Sequence, residues 1–185
     1  MRIISGKYKG QLLIKPKNRN IRPTSDRAKE TIFNTLSSIL INQKLSYQDL
    51  TILDCFCGSG ALGIETISRG ARKVYFIDND SDAINIAKKN CKLIQSEKKS
   101  NFLTMDLENF KSSPINADIF FLDPPYNKYN IEDVLDLVIE NGLIKPKSYG
   151  VIELPKNNKL TDLKKFTTLK IKFVSNSSFL FLLKD

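Results

Sequence analysis

Apolar positions change their period along this chain, and the change falls near residue 50. Over residues 26–41 they recur at helical spacing, so that Ala28, Ile32, Phe33, Leu36 and Ile39 or Leu40 share one face. Thr24 or Ser25 precedes that helix as its cap. Upstream, RIISGKYKGQLLIK (2–15) sets two short apolar runs around a glycine-containing polar stretch, which predicts a small β-hairpin. The prolines and asparagines of PKNRNIRPTSD make it a loop. From residue 50 onward short apolar runs alternate with amphipathic stretches. Strands are predicted at 51–56, 73–80, 101–106, 117–126 and 149–155. Helices are predicted at 60–70, 81–94 and 131–144, the last ending near Gly142. KFTTLKIKFV (165–174) and SSFLFLLKD (177–185) form a closing antiparallel pair.

Alternating strands and helices imply a parallel sheet covered on both faces. The expected architecture is therefore α/β, Rossmann-like, with a mostly parallel seven-stranded sheet that ends in an antiparallel hairpin. A basic N-terminal extension (1–42, hairpin plus helix) precedes the main domain (43–185). A chain of 185 residues has room for one full core and a small appendage.

Charge sharpens this picture. The net charge is +9, and residues 1–30 hold nine basic side chains against two acidic ones. Such a patch attracts polyanions, although a solubilising surface would look the same. No apolar stretch reaches the length of a membrane span, and the start lacks a signal-peptide core, so a cytoplasmic protein with no membrane partner is expected. The three cysteines (Cys55, Cys57, Cys91) are an odd number and read as small buried side chains rather than a disulfide framework. No metal is expected, because zinc needs four ligands and the chain has no histidine. The missing histidine also removes every Ser-His-Asp or Cys-His scheme.

Asp54-Cys55-Phe56-Cys57-Gly58-Ser59-Gly60-Ala61-Leu62-Gly63 falls where the first strand of the alternating region meets a helix. In such folds ligands bind beyond the carboxyl ends of the strands. Gly58 and Gly60 permit a tight turn, and Gly63 permits close approach of helix and strand. A G-x-G alone also marks dinucleotide sites. Asp54 would repel a pyrophosphate, yet it suits the methionine ammonium of S-adenosyl-L-methionine, directly or through water. Asp78 ends the next strand and is placed to accept both ribose hydroxyls, while Asp80 close behind reads as a helix cap. Met105 and Asp106 end the third strand, where they would meet adenine, Asp106 accepting from its amino group. A loop-starting aspartate is the alternative for Asp106. Phe56, Ser59 and Asn79 join the same expected pocket by their places in these motifs. The cofactor expected is S-adenosyl-L-methionine and the class is the class I methyltransferases.

Asp123-Pro124-Pro125-Tyr126 follows the fourth strand. Two prolines fix two φ angles and hold Asp123 extended. The Pro124 carbonyl and the Asp123 carboxylate together match an amino group with two protons to give. Tyr126 is placed to stack on a planar ring. The reading is catalysis at an exocyclic amine of a nucleic-acid base, which must be unstacked or flipped to enter.

The segments RIISGKYKGQLL, RPTSDRAKETIFNTL, LDCFCGSGALGIETISRGA, FIDND and FLDPPY resemble the small bacterial 16S ribosomal RNA guanine-N2 methyltransferases (RsmD-like) over nearly the whole chain. RPTSDRAKE is the most specific of them. Cys57 replaces a common alanine, a nearly isosteric change. The resemblance implies transfer to guanine N2 in small-subunit rRNA, with an assembled or partly assembled subunit as partner and a monomeric enzyme. It implies that Asp123, Pro124, Pro125 and Tyr126 form the catalytic loop, and that Arg22, Thr24, Asp26 and Arg27 help engage RNA. Adenine N6 presents the same two protons, so the loop alone leaves an adenine-N6 methyltransferase open. A dinucleotide oxidoreductase leaves Asp54 and the DPPY loop unexplained. A silent RNA-binding or ribosome-assembly protein would be expected to carry a degraded loop.

Overall fold

Five consecutive buried residues, Thr51–Cys55, form β1. Burial on both faces is the signature of a central parallel strand. The computed structural model describes residues 1–16, 24–109, 114–125, 128–157 and 163–185. β1 pairs in parallel with β2 (Lys73–Asp78) on one side and β4 (Ala117–Leu122) on the other. β3 (Ser100–Thr104) lies beyond β2, and β5 (Ile144–Pro155) lies beyond β4. β7 (Ser177–Lys184) then inserts antiparallel between β5 and the edge strand β6 (Phe166–Val174). The seven-stranded order is β3-β2-β1-β4-β5-β7-β6. The chain steps outward from β1 to β3, then returns to β4 on the other side of β1. That reversal leaves a crevice above the carboxyl ends of β1 and β4, where open α/β sheets hold their ligands.

The helices follow the predicted positions: α1 (Asp26–Asn42), α2 (Ala61–Ser68), α3 (Ser81–Leu93) and α4 (Ile131–Glu140). Ser25 caps α1 by accepting from the Ala28 N–H at 3.1 Å. Asp80 caps α3 by accepting from the Asp82 N–H at 2.8 Å. The last predicted helix ends earlier than its apolar pattern suggests. Gly142 turns the chain at φ +61°, and Ile144 becomes the first residue of β5, paired with Ala117.

Two hydrophobic clusters cover the two faces of the sheet. One gathers Ile3 and Leu13 of the N-terminal segment, Ile32, Phe33 and Leu36 of α1, and sheet residues such as Ile52, Ile119 and Phe121. The other packs α4 (Val134, Leu135, Val138) on Leu53, Phe120 and Leu182. The expected N-terminal hairpin is reduced to one antiparallel bridge, Arg2 to Leu12. Side chains elsewhere in the chain hold this segment in place of a longer ladder. The buried Glu65 carboxylate of α2 accepts from the N–H groups of Ile4 (2.9 Å) and Ser5 (3.1 Å), and from Arg69 Nε at 3.0 Å. Asn90 of α3 accepts from the Ile14 N–H at 2.7 Å and donates to the Ile14 carbonyl at 3.1 Å. The buried Lys29 ammonium donates to the Arg2 carbonyl and lies 3.4 Å from Asp26. Burial works against ionising Asp26, but the charge of Lys29, with its hydrogen bond and that of Arg2, prevails, so its carboxyl titrates below the ordinary range.

Gly6 makes the closest of these contacts, since a Cβ there would sit 2.0 Å from the Ser68 carbonyl oxygen at a φ of +83°. Gly6→Ala is therefore expected to destabilise the fold by about 1–3 kcal/mol through overpacking and strain. A melting temperature unchanged from wild type would show that the segment is not docked this way.

Candidate active site

The turn from β1 into α2 departs from ordinary strand-to-helix geometry at Phe56, whose φ is +57°. Phe56 is not glycine, so this backbone is held in place by its surroundings. The Cys57 N–H donates to the Ile77 carbonyl at 3.0 Å, and the Gly58 N–H donates to Asp78 Oδ2 at 2.8 Å. Asp78 Oδ1 accepts from the Asp80 N–H at 3.0 Å. The carboxylate at the end of β2 thus clamps the glycine loop from one side. Asp54 clamps it from behind, accepting the Gly63 N–H at 2.8 Å. Gly63 is required at that point, because a Cβ would lie 2.4 Å from the Phe76 ring and 3.0 Å from Asp54 Oδ2.

Above the loop opens a cleft of about 630 Å³. Phe56, Gly58, Asp78 and Asn79 line it together with Asp123, Pro124 and Pro125. Thr24 and Ser25 at the start of α1 reach the same cleft, as do Lys128, Tyr129, Glu153 and the turn between β6 and β7. A narrow recess of about 10 Å³ continues past Phe56 and Tyr129 to Met105, Asp106 and Leu107. The Tyr129 hydroxyl donates to Asp106 Oδ2 at 3.4 Å, and its ring lies 5.3 Å from that of Phe56. Burial, with the negative charge of Asp106, raises the Tyr129 hydroxyl above its ordinary range.

The structure thus brings together Thr24, Phe56, Gly58, Asp78, Asn79, Met105, Asp106, Asp123, Pro124 and Pro125 of the residues singled out from sequence. Others lie away from the described walls. Asp54 is buried behind the loop, and Gly60 packs on Phe76 and Ala87. The buried Ser59 hydroxyl donates to Met1 Sδ at 3.5 Å, and its carbonyl accepts from Asn90 Nδ2 at 3.0 Å. Asp26 pairs with Arg2 and Lys29, and Arg27 is exposed. Arg22 and Tyr126 lie outside the described residues. Sequence reasoning missed Tyr129, Glu153 and the β6–β7 turn. Tyr129 stands only four residues beyond Pro125, so a second aromatic near the loop was the available signal.

The electrostatics of the cleft run against those of the chain. Its described walls carry Asp78, Asp80, Asp123 and Glu153 against the single base Lys128, in a chain of net charge +9. Burial first, then the charges of Asp123 and Asp78, push the Asp54 carboxyl up to about 8. Burial also raises Asp78 above the ordinary carboxylate range. Burial likewise lifts the Cys55 and Cys57 thiols, so neither is poised as a nucleophile. Among the described residues no group of three or more carboxylates or thiols is placed to hold a metal ion, and no helix is long and apolar enough to cross a membrane.

A cleft of this acidity, at the switch point of this sheet, fits a cationic nucleoside cofactor better than a polyphosphate. S-adenosylmethionine meets that description, with a sulfonium, an ammonium, a ribose and an adenine. Fold and site together define a class I methyltransferase that uses S-adenosylmethionine. Within that class, the model of the family described as Conserved hypothetical protein 95 matches residues 1–183, and the chain belongs to this family. A curated Haemophilus influenzae relative, ribosomal RNA small subunit methyltransferase D, is 34% identical over 93% of this chain and 88% of its own length. A solved Escherichia coli structure, provisionally designated a methyltransferase, superposes with a TM-score of 0.84 at 24% identity, covering 100% of this chain and 98% of that one. The fold also matches an RNA methyltransferase from Salinibacter ruber solved with S-adenosyl-L-homocysteine, at TM-score 0.64, 14% identity, and 88% and 94% coverage.

Proposed function

We propose that this chain methylates the exocyclic N2 amino group of a guanine in small-subunit ribosomal RNA. The observation that carries the reading is the meeting of Asp123-Pro124-Pro125 with Phe56, Gly58 and Asp78 in one acidic cleft. The name carried by the Haemophilus relative supports ribosomal RNA as the substrate class.

Gly58, Asp78 and Asn79, with Met105 and Asp106 in the recess, are the residues that would hold the cofactor. Tyr129 lines both the cleft and the recess. When bound, S-adenosylmethionine supplies the methyl group as an already activated sulfonium. The protein's task is then positioning and electrostatics. An aromatic amino group is a poor nucleophile because its lone pair is delocalised into the ring. The Asp123 carboxylate and the Pro124 carbonyl accept its two protons, favour a tetrahedral nitrogen and aim the lone pair. Positive charge that grows on nitrogen faces Asp123 in a site already rich in acids. The surplus proton passes to water, which needs no histidine.

Thr24, with Asp26, Arg27 and Arg22 close by in sequence, belongs to the RNA-engaging side of this reading, as does the basic run of residues 1–30. The same reading takes the enzyme as a monomer and an assembled or partly assembled subunit as its substrate. Labelled S-adenosylmethionine offered with unmethylated small subunits, free 16S rRNA and double-stranded DNA tests this. Label is expected in the subunits far above the other two acceptors. Preferential label in DNA would overturn the substrate.

A further inference from the structure

The DPP loop offers the same two acceptors to guanine N2 and to adenine N6. The two bases differ at the neighbouring ring position. Guanine carries a proton on N1 beside its 2-amino group. Adenine carries a lone pair on N1 beside its 6-amino group. A carboxylate facing that position attracts the first and repels the second.

A second carboxylate, Glu153, lines the cleft near the end of β4. β4 and β5 run parallel, with Leu122 paired to Ile152. Glu153 follows Ile152 within β5, and Asp123 follows Leu122 just beyond the end of β4, so the two residues leave the same end of neighbouring strands. Both line the cleft. Glu153 is half-buried, and its Oε1 accepts from the Ser177 hydroxyl at 2.6 Å. That short, charge-assisted bond fixes the carboxylate's rotamer. Ser177 itself belongs to the end of β7 that enters the cleft with Ser175 and Asn176.

We infer that Glu153 is the residue that selects guanine, accepting the N1 proton while Asp123 and Pro124 take the protons of N2, with Ser177 as its positioning residue. This rests on the transfer to guanine N2 proposed above and supplies the discrimination that the DPP loop lacks. Sites built to hydrogen-bond a substrate N–H reject analogues lacking it by large factors, because a buried polar group is then left facing the wrong partner.

The test uses the full chain, unmethylated small subunits and labelled S-adenosylmethionine, with nucleosides resolved after digestion. Glu153→Ala is expected to lower kcat/KM for guanine methylation by about 10²-fold or more. Cofactor affinity should stay within about twofold. Glu153→Gln keeps an acceptor oxygen and the volume of the side chain, so it guards against simple misfolding; about a 10-fold loss is expected. Replacing the methylated guanosine by 2-aminopurine riboside keeps the amino group and removes the N1 proton. Wild type should lose turnover on that analogue, while Glu153→Ala should treat both bases alike, the signature of a direct pair. The inference is overturned if both variants methylate guanine within about threefold of wild type, or if Glu153→Ala still discriminates between the two bases. Wild-type label in adenine would instead overturn the reading on which it rests.

Discussion

Asp123→Ala is expected to lower methyl transfer by about 10²–10³-fold or more while leaving the protein folded. The range is that for removing one preorganised group aimed at charge growing in a transition state. Here the effect should lie at its upper end, because the same carboxylate both orients the amine and faces the developing charge. Asp123→Asn separates these roles. Its amide oxygen still accepts one amino proton, yet it offers no negative charge, so it should recover part of the loss and no more. Loss of one acid from the cleft also removes attraction for a cationic cofactor, a smaller effect that titration of each variant would isolate. Equal turnover by Asp123→Ala and wild type would remove the DPP loop from the chemistry.

The second large effect concerns Asp54 and pH. Its carboxyl titrates near 8 in the folded protein, because burial and then the charges of Asp123 and Asp78 oppose ionisation. In the unfolded chain it titrates near 3.8. The folded state therefore holds a proton that the unfolded state has released, and stability from this group falls as pH rises from about 4 to about 8. The slope is about 1.4 kcal/mol per pH unit within that window. Asp54→Asn keeps an oxygen for the Gly63 N–H and cannot ionise. It should melt well above wild type at pH 8, with the gap closing as pH falls towards 4. A cation bound in the cleft favours the ionised form, so S-adenosylmethionine affinity should rise with pH up to about 8 in wild type and stay flatter in Asp54→Asn. Parallel melting curves for the two proteins across pH 4–8 would contradict this account of Asp54.

Much of this was readable in the chain itself because it is local. β1 and β4 announce themselves as short, mostly apolar runs, α1 as a 3.6-residue stripe, and the glycine loop by spacing between a strand and a helix. The order of elements also predicts the switch point. What escaped prediction is long-range. Glu65, Lys29 and Asn90 are polar residues on helices, yet all are fully buried. Their partners Ile4, Ser5, Arg2 and Ile14 lie 27 to 76 residues away in sequence. No periodicity signals a helix face covered by the chain's own first residues. Asp54 was legible as the acid before the glycine turn, but its direction was not. A strand-end carboxylate can face a ligand or the following helix, and here Gly63 lies closer. Glu153 reads as the polar tail of a fifth strand. Only the register of β5 beside β4 sets it next to Asp123.

The central claim is that this cleft transfers a methyl group to guanine N2. The most direct measurement is digestion to nucleosides of small ribosomal subunits, prepared without base methylation, after incubation with the protein and labelled S-adenosylmethionine. The account predicts label in N2-methylguanosine. Label in N6-methyladenosine would contradict the substrate, and no label in the presence of bound cofactor would contradict the claim itself.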